Sequence, residues 1–259
     1  MSKGLQASFW ERRQLLKHMV LSKLKADRKD MYFGYYWWVL DPFLLMLVYW
    51  LLVGVILDRG GHEYPLFVLC GLVPFRAVST TLSQSTNSIS GKYSIISQIN
   101  FPRIYLPLAD VFANYIKLLF GLLLVVAFST KYGRMPGVHL LLLLVPFTLQ
   151  FMFSAGIALF ISILGVYFRD VKNMTQFIVR IWIYASPVLY AFTRIPDSWR
   201  DYMLVNPMAP LLLMYRQIIM DGTPPSADLT AIALVESVAA VAIGLFVFNR
   251  YQSRILKLL

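Results

Sequence analysis

Residues 168–220 read FRDVKNMTQFIVRIWIYASPVLYAFTRIPDSWRDYMLVNPMAPLLLMYRQIIM, and this stretch does not behave like a simple membrane span. It opens on a polar step, Arg169-Asp170, runs apolar over 171–185 with Arg180 inside it, and is broken by Pro187. A polar turn over 194–201 follows, then Asn206-Pro207, then an apolar piece over 208–220 closed off by the Gly/Pro cluster at 222–225. That last piece has 13 residues, whereas about 20 are needed to cross a hydrocarbon core of about 30 Å. Pro187 removes a backbone donor and clashes with the preceding turn, so no straight helix runs through it. The pattern predicts a span ending near Pro187 and a broken, re-entrant helical hairpin over 187–220. Irregular backbone survives at membrane depth only where protein or a water-filled cavity satisfies it, so such a hairpin suggests a pathway or gate. An external loop carrying an interfacial helix is the alternative.

Working outward, the whole chain has the composition of a polytopic all-α membrane protein. Its 259 residues are 58% hydrophobic and 14% charged, with a mean hydropathy of +0.63; a soluble globule does not look like this. Further spans are expected at about 37–57, 65–87, 107–130, 139–168 and 228–248, which with 171–185 makes six transmembrane helices. Residues 88–106 are polar to mixed and broken by Pro102, and 94–100 fit one short helix across the membrane surface. Residues 1–31 carry eight Lys or Arg, with Phe9, Leu16, Met19, Val20 and Leu24 on one side of a helical wheel. They predict an amphipathic interface helix on an anionic cytoplasmic surface or on a partner, ahead of one transmembrane unit over 32–259. Arg12, Arg13, Lys17 and Lys23 sit at the flanks of that apolar arc or intrude on it, where long stems can snorkel. The first 30 residues lack the clean apolar stretch of a cleavable signal.

The net charge of +11 is sorted by topology. Six spans place both termini on one side; that side then holds 15 Lys or Arg against six on the other, with Arg76, Lys117 and Arg180 inside spans. The positive-inside rule makes it the cytoplasmic side, and nucleic acid is not expected as a partner. The single Cys70 allows no intrachain disulfide.

Catalytic patterns are missing. No GxxxxGK[ST] phosphate loop occurs (Gly91-Lys92-Tyr93 fails it), and neither HExxH nor GxSxG is present. His18, His62 and His139 are scattered, so no metal site is expected. Asp110, Lys117, Arg180, Arg76 and Glu236 are costly inside spans and are read either as functional or as paired across helices. Tyr35, Tyr36, Trp37 and Trp38 form a block at the mouth of span 1, with Tyr49 and Trp50 further along it. Such rings stack on sugar C–H faces or form an interfacial belt; a belt explains Tyr49 and Trp50 less well.

The order of motifs then becomes informative. A basic N-terminal helix is followed by FGYYWWVLDP (33–42), PLFVLCGLVPF (65–75), INFPRIYLPLADV (99–111), FRDVKN (168–173), SPVLY (186–190) and NPMAPLLLMYRQ (206–217). Over nearly its whole length the chain resembles the membrane subunit of bacterial ATP-binding-cassette polysaccharide exporters of the second export type, the permeases for O antigen, teichoic acid and capsule.

That resemblance implies a homodimer carrying two separate cytoplasmic ATPase subunits. ATP and Mg would sit on those subunits, with no cofactor on this chain. It implies a coupling helix at about 92–103, carried by Lys92, Tyr93, Ile96, Asn100 and Arg103, with Arg169 and Asp170 at the second cytoplasmic turn. It implies external gate helices formed by the hairpin, with Pro187, Tyr190, Asn206, Pro207, Tyr215 and Arg216. The span 1 aromatics (Tyr35, Tyr36, Trp37, Trp38, Tyr49 and Trp50) would line a channel for an undecaprenyl-linked glycan crossing the bacterial inner membrane. Arg28 and Lys29 are candidates to receive the lipid phosphate. The rival readings are an efflux permease of the same broad class for drugs or small lipids, and an ion-coupled carrier using Asp110 or Glu236.

Overall fold

The computed structural model describes residues 9–29, 34–92 and 102–252, and the side chains of 9–12 and 27–29 fall outside that description. The described elements are helices, with no strand among them. They are α1 (Phe9–Lys29), α2 (Trp37–Tyr49), α3 (Tyr64–Ser85), α4 (Tyr105–Ser129), α5 (Leu144–Tyr167), α6 (Val171–Ala185), α7 (Asp197–Leu204), α8 (Met208–Ile219) and α9 (Ala227–Tyr251). Five helical stretches are long and apolar enough to cross a membrane: Gly34–Ile56, Tyr64–Ser85, Tyr105–Tyr132, Val138–Tyr167 and Ala227–Tyr251. They match the expected spans 1, 2, 3, 4 and 6. At the fifth position α6 has 15 residues, a rise of about 22 Å. It ends at Ala185, just ahead of Pro187, and its outward side carries Met174, Phe177, Ile178, Ile181 and Tyr184.

The core is built around α3, which is buried along most of its length against α4, α5, α6 and α8. Its apolar residues recur all round the helix rather than on one stripe, as expected of a helix enclosed by others. Pro74 sits inside it, and the buried Gln150 amide of α5 donates to the Pro74 carbonyl at 2.9 Å. The Tyr115 hydroxyl of α4 lies 2.7 Å from Ser154 Oγ of α5, both buried. On the far side α5 crosses α9 at closest approach. A Cβ built on Gly156 would strike the backbone of Ala240, and one on Gly244 the backbone of Gly156. Small residues at a crossing let two backbones touch, which is how spans associate when lipid is as apolar as their side chains.

The hairpin is present. After α6 the chain turns at 186–188, makes a short helix (α7) and folds back into the bundle as α8. Met208, Leu211, Leu212, Met214, Tyr215 and Ile218 of α8 are fully buried. A helix lying on the membrane surface would expose one side, so the interfacial-helix alternative does not describe α8.

Two elements differ from expectation. Span 1 is α-helical only to Tyr49 and continues over Trp50–Ile56 as a wider π-helix, its end marked by Leu57 N–H donating to Leu52 O at 3.1 Å. Nothing in hydrophobic periodicity announces that change. In addition, α1 is not simply laid on lipid. Val20 and Leu24 are buried against Ala109 and Ala113 of α4, with Leu16, Met19 and Trp38 at the edge. Lys23, one of the four cations expected at the flanks of the apolar arc or within it, forms an ion pair with Asp110 of α4, whose side chain is only 2% exposed.

That pair makes a latch that can be tested. Asp110→Asn is expected to loosen α1 by about 3 kcal/mol, the low end for breaking a buried pair on one side, because the Lys23 side chain keeps 22% of its exposure. The double variant Lys23→Met/Asp110→Leu should lose less than either single change. Trypsin cleavage within α1 measures the release; identical digestion of wild type and D110N would remove the latch.

Candidate functional site

Between α2, α3 and α6 lies a groove of about 520 Å³. Its wall on α3 carries Arg76, Ser79, Thr80, Ser83 and Gln84, which recur three and four residues apart and so share a helix side. Ser79 donates to Arg76 O at 3.0 Å and Ser83 to Ser79 O at 2.9 Å, so these hydroxyls spend their protons within the helix and keep lone pairs for other donors. Tyr49 of α2 faces them, and Arg180 and Tyr184 of α6 close the third side. The groove thus combines aromatic rings, hydroxyls, an amide and two guanidinium groups, which suits hydroxyl-rich ligands.

The span 1 aromatics do not form one site. Tyr49 lines this groove; Trp50 does not, and its indole covers Gly54 of its own helix, where a built Cβ would lie 2.9 Å from Trp50 Cδ1. Tyr35 and Trp38 meet edge-on at 4.7 Å, and Trp38 packs on Phe120 at 5.6 Å. Trp37 and Trp38 line a separate, smaller cavity among α2, α3 and α4, and Tyr36 is exposed. Eleven residues separate Trp38 from Tyr49, about 16 Å along a helix. Sequence reasoning missed Tyr184 and the polar stripe of α3 as groove walls. The stripe was visible as polar residues at helical spacing within an apolar span, and Arg180 as a lone cation in another.

The expected gate residues largely come together, as fasteners of the hairpin. Where α6 stops, its carbonyls lose their helical partners. Arg216 of α8 reaches across and donates to Pro187 O at 2.5 Å and Val188 O at 2.8 Å, with Phe67 O of α3 at 3.4 Å. Its guanidinium lies 3.5 Å from the Phe67 ring centroid. This is the internal satisfaction that broken backbone at membrane depth requires. Gly71 leaves the room, since a Cβ there would sit 2.8 Å from Arg216 Nη2 and 2.9 Å from Val188 O. Asn206 makes the second fastening. Its amide donates to Ala185 O and Ser186 Oγ, each at 2.9 Å, while its Oδ1 accepts from Trp182 Nε1 at 2.8 Å and from the Met208 N–H at 3.1 Å. Pro207 starts α8. Tyr190 donates to Tyr184 O at 3.1 Å and lines an outer cavity of about 330 Å³ with Glu63, Tyr64 and Arg194. Tyr215 is the exception: it is fully buried and lines none of these cavities.

At the other end, Lys92 closes a short turn, Ser90–Lys92, and its burial pushes the ammonium below its ordinary value. Arg103 donates to the Gln252 carbonyl at the end of α9. Tyr93, Ile96 and Asn100 lie outside the described residues, as do the side chains of Arg28 and Lys29. Arg169 and Asp170 are exposed at the turn between α5 and α6. The ends of α3 and α5 lie close together: a Cβ built on Gly165 near the end of α5 would strike the Thr86 carbonyl just after α3.

Two carboxylates in or near the spans pair across helices. Asp41 pairs with Arg76 across α2 and α3, and Asp110 holds Lys23. Glu236 of α9 instead borders an apolar cavity of about 840 Å³ beside α5 and α6. No group of His, Cys, Asp or Glu suited to a metal ion occurs among the described residues.

Comparison with known proteins adds to this geometry. The pattern of the ABC-2 type transporter family matches residues 14–220. The chain is 31% identical over 237 residues to the O-antigen export system permease protein RfbA of Myxococcus xanthus, covering 90% of this chain and 91% of that protein. It is 27% identical to the protein of the same name from Klebsiella pneumoniae, over 91% of each. It is also 23% identical to the polysialic acid transport protein KpsM of Escherichia coli, over 73% of this chain and 74% of that one. An all-helical membrane domain with long apolar spans and a re-entrant hairpin, matched by the family pattern over four-fifths of its length, belongs to the ABC-2 type transporter family.

Proposed function

We propose that the chain is the permease subunit of an ATP-driven exporter that moves a lipid-linked polysaccharide across the bacterial cytoplasmic membrane. The observation that carries this reading is the α2–α3–α6 groove. Its aromatic, hydroxyl and guanidinium lining suits a glycan, and it is open along the exposed sides of α2 and α6. Relatives spanning nine-tenths of the chain are O-antigen export permeases, which favours the same class of cargo. A second copy facing the groove completes a channel, so the working unit is a homodimer. Two ABC ATPase subunits, which carry the ATP and Mg, dock on the cytoplasmic turns around 92–103 and 169–170, and both termini lie on that side. The cargo is an O antigen, teichoic acid or related glycan on undecaprenyl phosphate or pyrophosphate.

ATP-driven closure of the ATPase pair would push on the turn between α3 and α4. Arg103 links that turn to the end of α9, and α3 carries the groove wall and packs directly on the hairpin. The push therefore reaches both the groove and its outer closure through packed helices.

Affinity purification from native membranes is the test. An ATPase is expected to co-purify in equal amount and to be lost when residues 92–103 are scrambled, while cells lacking the chain retain lipid-linked glycan inside. A homogeneous preparation without any ATPase would sink the reading.

A further inference from the structure

We propose that the cavity among α5, α6 and α9 binds a lipophilic ammonium cation drawn from the bilayer, with the Glu236 carboxylate as its counter-charge. The site is separate from the glycan groove and stands without the exporter reading.

The cavity holds about 840 Å³, within the range of about 300–1,000 Å³ usual for small-molecule sites. Three helices each give it one side. Phe153, Gly156, Ile157, Phe160 and Ile161 come from α5, and Glu236, Ala239, Ala240 and Ile243 from α9, both at the spacing of a single helix side. The third wall is Phe177, Ile178, Ile181, Trp182 and Ala185 of α6. While α5 and α9 meet at Gly156 and Ala240, α6 packs on α3 and α5, which leaves the hollow between α6 and α9.

Among the described residues that line this cavity, Glu236 is the one ionisable group. Its Oε2 is buried and makes no hydrogen bond. The packed elements bring it no cation. None of the residues of α5 is charged. On α6, residues 177, 178, 181, 182 and 185 line the cavity while 179, 180, 183 and 184 line the glycan groove, so Arg180 lies on the opposite side of the helix. Lys172, in the first turn of α6, lines neither. Arg216 of α8 is committed to the Pro187 and Val188 carbonyls, and Arg76 of α3 to Asp41. On α9 itself Asp228 and Arg250 stand 8 and 14 positions away, about 12 and 21 Å along the helix.

A carboxylate inside a span is costly without a partner. Glu236 is three positions from Ala239, the middle residue of α9, about 5 Å along its axis. An ordinary acyl chain would fill the apolar space and leave the carboxylate uncompensated. A zwitterionic head group already carries its own counter-charge. An ammonium on an alkyl chain meets both demands. The rings add to this, because aromatic faces attract a desolvated cation. Phe153 and Trp182 lie 6.4 Å apart, and the Trp182 ring is held by its N–H donating to Asn206 Oδ1. Phe177, Ile178 and Ile181 are exposed along α6, so the way in is lateral. A bound cation would bear on α6, the helix that also closes the glycan groove.

The test is photolabelling of the full chain in phosphatidylcholine nanodiscs with a labelled dodecylammonium that carries a diazirine on its chain. Saturable labelling within α5, α6 or α9 is expected. Unlabelled dodecylammonium should compete, and dodecanol and dodecanoate should not. Glu236→Gln should weaken the labelling about ten-fold or more, as loss of a charge-assisted contact does. Ala239→Phe fills the cavity and keeps the carboxylate, so it should weaken labelling as well; Ala239 is exposed on α9, which leaves room for the ring. Labelling unchanged in E236Q would overturn the site. Equal competition by dodecanol would also overturn it, by assigning the cavity to any alkyl chain. So would absence of saturable labelling in wild type, the outcome if a second copy of the chain covers the cavity. Size-exclusion profiles report folding; if E236Q does not fold, A239F and the competitor series on wild type decide.

Discussion

Replacing Arg216 with Ala is expected to release the hairpin and abolish transport. The substitution strands the Pro187 and Val188 carbonyls, which Arg216 satisfies at 2.5 and 2.8 Å, and removes the contact to Phe67 O. Each buried polar group left unsatisfied costs about 1–3 kcal/mol, so the two carbonyls together cost about 2–6 kcal/mol. The Arg216 side chain is buried at this junction. Total stabilities of about 5–15 kcal/mol leave little margin for such a loss. Lysine should not rescue the position, since one ammonium cannot reproduce a planar fork that meets two carbonyls while lying on the Phe67 ring. Gly71→Ala should damage the same junction, because its methyl would press on Arg216 Nη2 and Val188 O. The two changes share one contact, so they should be far from additive, with G71A costing much less in the R216A background than alone. Thermal melting of the purified protein, read beside an export assay, measures this. An R216A protein melting with wild type would show that the carbonyls are held by something else.

The second large effect is expected at the crossing of α5 and α9. Gly156→Leu or Gly244→Leu should prevent α9 from docking. The clash is with backbone, Ala240 for the first and Gly156 for the second, so no rotamer change relieves it. Overpacking typically costs about 1–3 kcal/mol where side chains can shift, and here the helices themselves must part. Loss of docking also breaks the buried bond from Ser237 Oγ to Leu149 O at 2.8 Å. Gly133→Ala is a contrast of another kind: nothing lies within 4 Å of its Cβ and only the left-handed backbone resists, so it should cost about 1 kcal/mol. The fraction eluting as a single species in size-exclusion chromatography separates the two cases. Normal elution of both leucine variants would contradict the close crossing.

Most of the fold was legible because membrane spans are written in runs, and the hairpin because Pro187 and a 13-residue apolar piece leave few other options. The site was legible only in part, since its parts are far apart in the chain. Lys23 and Asp110 stand 87 positions apart, and neither names the other. Lys23 was one of four cations at or within the apolar arc of α1, and nothing in the sequence set it apart from Arg12, Arg13 and Lys17. Asp41 and Arg76 were each visible as charges near or inside spans, but pairing across helices is a tertiary fact. The aromatic block over 35–38 was conspicuous by density, yet helix rise carries it away from Tyr49. Arg216, expected at the hairpin, holds carbonyls that the hairpin's own break leaves behind.

The uneven burial of the helices divides this molecule into frame and shutters. Tyr64–Ser85 is the most enclosed of the long spans, whereas Gly34–Ile56 touches its neighbours along a narrow seam and leaves Leu44, Val48, Leu51, Val55 and Ile56 uncovered. Residues on the shutters can change size without opening holes in the frame, so bore and stability are separate traits. On the proposed route between α2, α3 and α6, a lineage would refit the groove to a bulkier or slimmer polymer by altering α2 and α6, while inheriting the frame intact.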